Sequence, residues 1–509
     1  MISPQSAPFL IGAHDVPAVQ LAIAEIARAG YTEAGVRERL GLADITDLKW
    51  KALPIYREER LAKRDAQALA MELFLLQGNV AVGDLGLVFS SASVDALVRA
   101  ELLTIDSSGR ARARASLFPV ADRLIFSDHA WHKLPHPGYK TVPREQVMFV
   151  GDDSRWLARA TVRRPIRSSL DLCTGSGVQA ILSAAHSERV LAVDINPRAV
   201  NCARFNATIS GADNMEVAVG NLFEPVSPTE RFDLITANPP FVVSPVDEMM
   251  FRDGGPSGEA VQQRIVAGLP RHLAAGGIAQ MVTELGEREG EPIVKRVREW
   301  LDGAPMDIYI LRLRTYSAGY YATGHAASDG DYGAYLESVG KWAANLREQN
   351  YKQVVSVLIA FQWSDPAAGA PWDRVDESQP PKRDAGPEVE EVLSRQSRNS
   401  ALDGCRVHRS GPIAITESRV LDSQIPGAAR ATLLGRALTV EHSLNPVERE
   451  ILVRLEKPAA ASDLPAKLNL DKTTVLEAVN SLQRRGLLSV TVPAPAAQLP
   501  IHPRAESRE

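Results

Sequence analysis

Between about Pro143 and Trp363 the chain alternates short apolar runs with stretches whose apolar residues recur at helical spacing. The runs IRSSLDLC, VLAVD, MEVAVG, FDLITA, GIAQMVT, DIYILRL and VVSVLIAF have the length and continuity of strands buried on both faces. Between them VQAILSAAH, PRAVNCARFNAT, SGEAVQQRIVAGLPRHLAA and EPIVKRVREWL read as helices. This alternation predicts βαβ units around a parallel sheet, an α/β domain over residues 143–364. Before it, residues 1–142 open on VQLAIAEIARAG, a helix ending at Gly30, and YTEAGVRERLGL, a second helix. SVDALVRAELL then precedes LTID, a turn at Ser107, Ser108 and Gly109, and the strands RARARASLF and ADRLIFSD. Helix plus ribbon predicts a helical and winged-helix-like substrate-recognition module. Its period-two Arg110, Arg112 and Arg114 share one strand face, a spacing that suits phosphate contact and equally a charge-protected, solvated edge strand.

After the α/β domain, residues 365–392 are rich in Pro, Gly, Ala and charge and predict a linker or loop. Residues 393–492 end in three helical patterns, NPVEREILVRLEK, SDLPAKLNL and KTTVLEAVNSLQRRG, followed by LLSVTV, the order of a winged helix-turn-helix. Glu441 to Val490 holds seven Lys/Arg and seven Asp/Glu, so this module lacks the basic balance of a DNA reader and fits a protein-contacting or structural role as well. The Pro/Ala-rich tail 493–509 predicts disorder.

Composition changes this picture little. In 509 residues, 45% are hydrophobic and 23% charged, the balance of a multidomain globular chain. Lys and Arg number 57 against 62 Asp and Glu, net −5, so any nucleic-acid contact must be local. Cys173, Cys202 and Cys405 have no metal-ligand spacing, and an odd count points to a reducing cytoplasm. No apolar stretch approaches the ~20 residues of a membrane span, and the first 20 residues lack an export pattern. The expectation is a cytoplasmic protein with no membrane association and no metal.

The chemistry begins at DLCTGSG, where a strand gives way to a helix. Gly175 and Gly177 permit a tight turn beside the free N–H groups of the helix start. Asp194, 19 residues after Gly175, ends the next strand and can accept from ribose hydroxyls, which favours an adenosine-containing cofactor without separating NAD from S-adenosylmethionine (SAM). ANPPF separates them. Two prolines remove two backbone donors beside the Asn238 amide and the Phe241 ring, so the Asn238 oxygen and the Pro239 carbonyl can accept from a planar NH2 group on which Phe241 stacks. Held so, the nitrogen lone pair faces an electrophile. Asn238, Pro239 and Phe241 are the candidate catalytic residues. Cys173 reads as a small filler rather than a nucleophile, since no histidine is placed to activate it, and His325 as a surface-loop histidine.

In order, FVGDDS, DLCTGSG, AVDINPRAV, GNLFEP, ANPPFVVSP and FRDGGPSG resemble the class I SAM-dependent methyltransferases. Among these the series is most similar to the NPPY/NPPF amino-methyltransferases of HemK type, which methylate the glutamine side-chain amide of translation release factors. The resemblance covers about residues 147–283. It implies a Rossmann-like seven-stranded sheet, with SAM held by Asp153, Asp171, Cys173, Gly175, Gly177, Asp194, Asn221 and Asn238. The chain departs from the family at Phe241, where HemK-type enzymes usually carry tyrosine and ribosomal-RNA guanine enzymes often phenylalanine. It departs again at Asn221, commonly aspartate, and at Ser257, where an acid is usual. The implied activity is methyl transfer to an amide or amino nitrogen of a translation-apparatus macromolecule, foremost a protein glutamine. An RNA base exocyclic amine and a SAM-binding regulator with winged-helix modules are the alternatives.

Overall fold

The computed structural model describes residues 7–130, 143–326, 331–366, 369–396, 405–418 and 428–491. The expected disordered tail at 493–509 lies outside them. The chain divides into two compact units, Met1–Glu390 and Glu391–Glu509.

In the first unit the opening segment forms α1 (Val16–Arg28), α2 (Glu33–Leu40), a single turn α3 (Leu53–Ile55), α4 (Ala66–Phe74) and α5 (Ser91–Arg99). With them fold β1 (Asn79–Ala81), β2 (Leu103–Ile105) and β3 (Arg110–Ala113), an antiparallel sheet in the order β1-β3-β2, and the hairpin β4 (Ser116–Val120) and β5 (Arg123–Ser127). RARARASLF, expected as one strand, is two. β3 lies in the middle of its sheet, so the reading of an edge strand is corrected: its backbone groups pair on both sides. The helix α4 is almost wholly buried, and that uniform apolarity hid it from a periodicity reading.

The α/β portion contains α6 (Asp152–Ala160), β6 (Ile166–Leu172), α7 (Val178–Ala184), β7 (Ser187–Asp194), α8 (Pro197–Ser210), β8 (Met215–Val219) and β9 (Phe232–Ala237). It continues with α9 (Ala260–His272), β10 (Leu273–Glu287), α10 (Ile293–Trp300), β11 (Met306–Ser317), α11 (Ala318–His325), α12 (Tyr332–Glu348) and β12 (Gln353–Trp363). All seven expected strands are present. The sheet order is β13-β11-β12-β10-β9-β6-β7-β8; the run from β10 to β8 is parallel, and β12 pairs antiparallel with both β10 and β11. The eighth strand, β13 (Asp373–Glu377), comes from the segment expected to be a linker. Its alternating half-buried and exposed residues run parallel to β11, and this one-sided edge pairing needs no apolar run. The helix α13 (Gly386–Gln396) follows and crosses the division between the units.

The boundary expected at residue 142 is no break in the packing. One apolar core joins Phe9, Phe74 and Phe126 to Ile181, Cys202 and Phe205 on α7 and α8. Polar bonds reinforce the join: Arg198 donates to both oxygens of the fully buried Asp128, and Arg155 and Arg159 of α6 pair with Glu33, Arg159 also with Asp44.

The second unit has two small antiparallel sheets. In one, β14 (Arg406–Arg409) lies between β18 (Ala459–Ala460) and β19 (Leu488–Thr491); in the other, β16 (Ala429–Leu433) lies between β15 (Ile413–Glu417) and β17 (Glu441–Leu444). The helices α14 (Pro446–Arg454), α15 (Leu464–Leu468) and α16 (Lys472–Arg484) fall where three helical patterns were read, and Val407, Ile451, Val479 and Leu488 share their core. Among the described residues, no helix is long and apolar enough to cross a membrane.

Removing one partner of the Asp128–Arg198 pair strands a buried charge. Arg198→Leu should lower the unfolding free energy of the first unit by about 3–5 kcal/mol in urea titrations, and a loss below about 1 kcal/mol would show that the pair does not fasten the opening segment.

Candidate active site

The carboxyl ends of β6, β7, β9 and β10 open onto a cleft of about 2230 Å³. In open α/β sheets ligands bind in the crevice outside the carboxyl ends of the strands. All seven expected cofactor residues other than Gly177 line this cleft, namely Asp153, Asp171, Cys173, Gly175, Asp194, Asn221 and Asn238, and Pro239 and Phe241 line it with them. Gly177 stands just behind, at the start of α7.

The turn after β6 is strongly left-handed, with φ of +55° at Cys173, +55° at Gly175 and +84° at Gly177. A Cβ on Gly175 would point into open space, whereas one on Gly177 would lie 3.1 Å from the Ala203 Cβ on α8. Gly175 therefore keeps room for a ligand, and Gly177 lets α7 and α8 close on one another. The Asp194 carboxylate accepts from Gly175 N at 2.8 Å and Asn196 N at 2.9 Å, locking the second strand end against the turn. Burial raises its pKa above the usual carboxylate range against the pull of those amides.

Asp171 is placed differently from the expectation of a direct ligand. It is buried and accepts from Thr174 Oγ1 at 2.5 Å and Thr236 Oγ1 at 2.7 Å, so it ties the glycine turn to β9. Burial pushes its pKa up to about 6 despite those hydroxyl donors. The Cys173 thiol is likewise raised well above its ordinary value by burial and by the charges of Asp194 and Asp171, which bars it from nucleophilic work.

At the end of β9, Asn238 Nδ2 donates to Asp153 Oδ2 at 3.1 Å and to Ser154 Oγ at 3.0 Å. A carboxylate only accepts, so this fixes which way the amide faces and turns its oxygen to other partners. Asp153 thus acts on Asn238 as a positioning group at the first turn of α6, where the helix dipole favours a negative side chain. Phe241 is half-buried against Val242, Val243, Tyr321 and Trp342. The glycine-rich loop beyond it is fastened to the same segment: Val242 N donates to Arg252 O, Gly254 N to Val242 O and Ser244 N to Gly255 O, at 2.9–3.0 Å. Asn221 Oδ1 accepts from Arg264 Nη2 at 3.1 Å, so Arg264 shares the acceptor expected to face adenine.

Sequence reasoning missed several residues. Ile195, 53% exposed, and Leu222 give the cleft apolar faces flanking Asp194 and Asn221. Asn206 is fully buried; it accepts from Phe126 N and donates to Phe126 O and Ser176 O, bonding β5 to the glycine turn. The position after the acidic strand end marked Ile195 as a cleft residue, while nothing local marked Asn206. His325, read as a surface-loop residue, ends α11 and stacks on Trp342 with ring centroids 5.2 Å apart. Arg110 and Arg112 are exposed, whereas Arg114 pairs with Glu101. Among the described residues, no cluster of His, Cys, Asp and Glu could hold a metal ion.

A parallel sheet with one antiparallel strand near its edge, a glycine turn after its first strand and an acid after its second define a class I methyltransferase. The methyltransferase small domain family matches residues 150–297. The chain is 33% identical over 222 residues to the ribosomal protein uL3 glutamine methyltransferase of Bordetella pertussis, a match covering 38% of this chain and 71% of that protein. It is 31% identical over 161 residues to a Methanocaldococcus jannaschii protein provisionally named a protein N5-glutamine methyltransferase, covering 30% of this chain and 80% of that one. The release factor glutamine methyltransferase of Koribacter versatilis is 30% identical over 172 residues, covering 31% and 59% of the two chains. The chain spans about half the length of some curated relatives, 46% for the uL3 enzyme of Bradyrhizobium diazoefficiens. The chain belongs to the HemK-like class I methyltransferases, and its cofactor is SAM.

Asp171 supplies a pH test of the site. Its folded-state pKa of about 6 lies above the ordinary value of 3.8, so its contribution favours the folded state below pH 4 and is lost as pH rises through 6. Relative to Asp171→Asn, the parent should lose up to about 3 kcal/mol of stability between pH 4 and 7, read from urea unfolding at each pH. Parallel pH profiles would show that Asp171 does not titrate in this range.

Proposed function

We propose that this protein is a SAM-dependent glutamine N-methyltransferase acting on a protein of the translation apparatus. The observation that carries the reading is the Asn238 amide, oriented by Asp153 and Ser154 so that its oxygen is left to accept. With the Pro239 carbonyl it offers two acceptors to the two N–H bonds of a planar amide. An amide nitrogen is a poor nucleophile because its lone pair is delocalised. Acceptors that draw on its protons return density to nitrogen, and their fixed positions remove the entropic cost of alignment. Phe241 supplies the apolar face against the amide plane.

The cleft fits SAM. Asp194 would hold the ribose hydroxyls, Ile195 and Leu222 a flat base, Asn221 its amino group, and the turn at Cys173, Gly175 and Gly177 the methionine part. When bound, SAM supplies an electrophilic methyl group on a cationic sulfur. The first-unit opening segment and the second unit then serve substrate selection, and α14, α15, α16 and β19 read as a winged helix. Three free cysteines and a translation substrate suit a cytoplasmic setting. The exposed Arg110 and Arg112 favour a second reading, an RNA base amine as acceptor.

Transfer of labelled methyl from SAM into cell extract, followed by protease or ribonuclease, separates the two readings: the label should fall to protease alone. Asn238→Ala should reduce transfer by about 100-fold or more at saturating SAM, with calorimetry of SAM binding separating loss of cofactor from loss of transfer. Asp153→Ala should lower kcat in the same direction, and unchanged kcat would remove Asp153 from its positioning role.

A further inference from the structure

The cleft is far larger than the upper end of small-molecule sites, about 1,000 Å³, so it has room for a segment of the macromolecule besides the cofactor. Its charge is divided. Asp152, Asp153, Asp171, Asp194, Glu248 and Glu284 outnumber Arg252, Arg264 and Arg314 at the catalytic end. The lining contributed between Thr46 and Gly151 holds Lys49, Lys51, Arg57, Arg112 and Arg144 and no carboxylate. Arg57 is paired with Glu72 and Arg144 with Asp247. Lys49, Lys51 and Arg112 have no carboxylate within ion-pair distance among the described residues, and all three are exposed; Arg112 Nε donates only to the neutral Asn79 Oδ1, at 2.8 Å.

The two lysines stand on a fixed turn. Trp50 between them lies edge-on to Phe149 and Phe118, with ring centroids 5.5 and 6.3 Å away, and Lys49 N donates to the Tyr56 hydroxyl at 3.3 Å. Cations on a rigid wall, in a chain of net charge −5, are a local departure that attracts an anion.

We infer that Lys49, Lys51 and Arg112 form a docking wall for an acidic stretch of the substrate polypeptide flanking the glutamine that enters the Asn238 site. This rests on the glutamine reading above. A peptide can confine its carboxylates to one flank, keeping them off the anionic catalytic end. A nucleic-acid strand carries a phosphate at every step and would run that charge into Glu248, which has no ion-pair partner among the described residues.

The test uses fluorescein-labelled peptides with one central glutamine, flanked on either side by glutamate, serine or lysine, titrated into the full chain. The same peptides are assayed for methyl transfer by mass spectrometry. Glutamate-flanked peptides should bind at least about tenfold tighter than serine-flanked ones, with the advantage shrinking as salt rises from about 50 to 200 mM. Lys49→Glu/Lys51→Glu should abolish the preference and raise KM for the glutamate peptide while leaving kcat and the serine peptide unchanged. Lys49→Ala/Lys51→Ala should fall between. Equal affinity for glutamate and serine peptides overturns the inference, as does their displacement by a mixed-sequence single-stranded RNA that the charge reversal weakens more than it weakens the peptides. If the preference holds and no peptide accepts methyl, the glutamine reading fails and the wall stands; transfer into all peptides alike does the reverse.

Discussion

One buried carboxylate holds the two halves of the site together. Asp171 ends β6 and takes a hydroxyl from Thr174 in the glycine turn and another from Thr236 on β9. The first of these fixes the glycine turn, and the second fixes the strand that ends two residues on at Asn238. Distance between a methyl donor and a nitrogen acceptor matters to fractions of an ångström, so a direct bond between the elements carrying them is worth more to the reaction than to stability. The raised pKa of Asp171 shows what this costs: its burial penalises the charge that its donors favour.

A second constraint runs through α6. Its first turn carries Asp153 and Ser154, which aim Asn238, and its later turns carry Arg155 and Arg159, which grip Glu33 and Asp44 in the opening segment. The segment carrying the cationic turn is therefore bonded to the helix that orients the acceptor amide. This explains why the opening segment has no separate core, its apolar residues closing over α7 and α8 instead.

The main sheet was legible because each of its buried strands is a continuous apolar run bounded by glycine, asparagine or acid, and such runs carry their own signal. β13 was not, since an edge strand with half-buried alternation looks like linker in composition. Nor was α4, whose burial on every side erases the helical stripe. At the site, residues fixed by local geometry were readable: Gly175, Asp194 and Asn238 stand at strand ends where the motif order put them. The partners that set their state were not. Asp171 to Thr236, Asn238 to Asp153 and Asn206 to Phe126 span 65, 85 and 80 residues, and no spacing rule reaches so far.

Asp153 shows how a charge can act on an acceptor site without entering it. A carboxylate facing an NH2 group directly would accept from it, and it would equally hold a lysine ammonium or an arginine. Behind Asn238 the same charge is converted into orientation: it accepts one Nδ2 hydrogen bond and the Ser154 hydroxyl the other, which turns the amide oxygen away from them. Neutral acceptors discriminate by geometry and donor count more than by charge, so a planar amide with two protons fits where a cation gains less. On the proposed function, the pairing of Asp153 with Asn-Pro-Pro would favour an uncharged nitrogen over a cation.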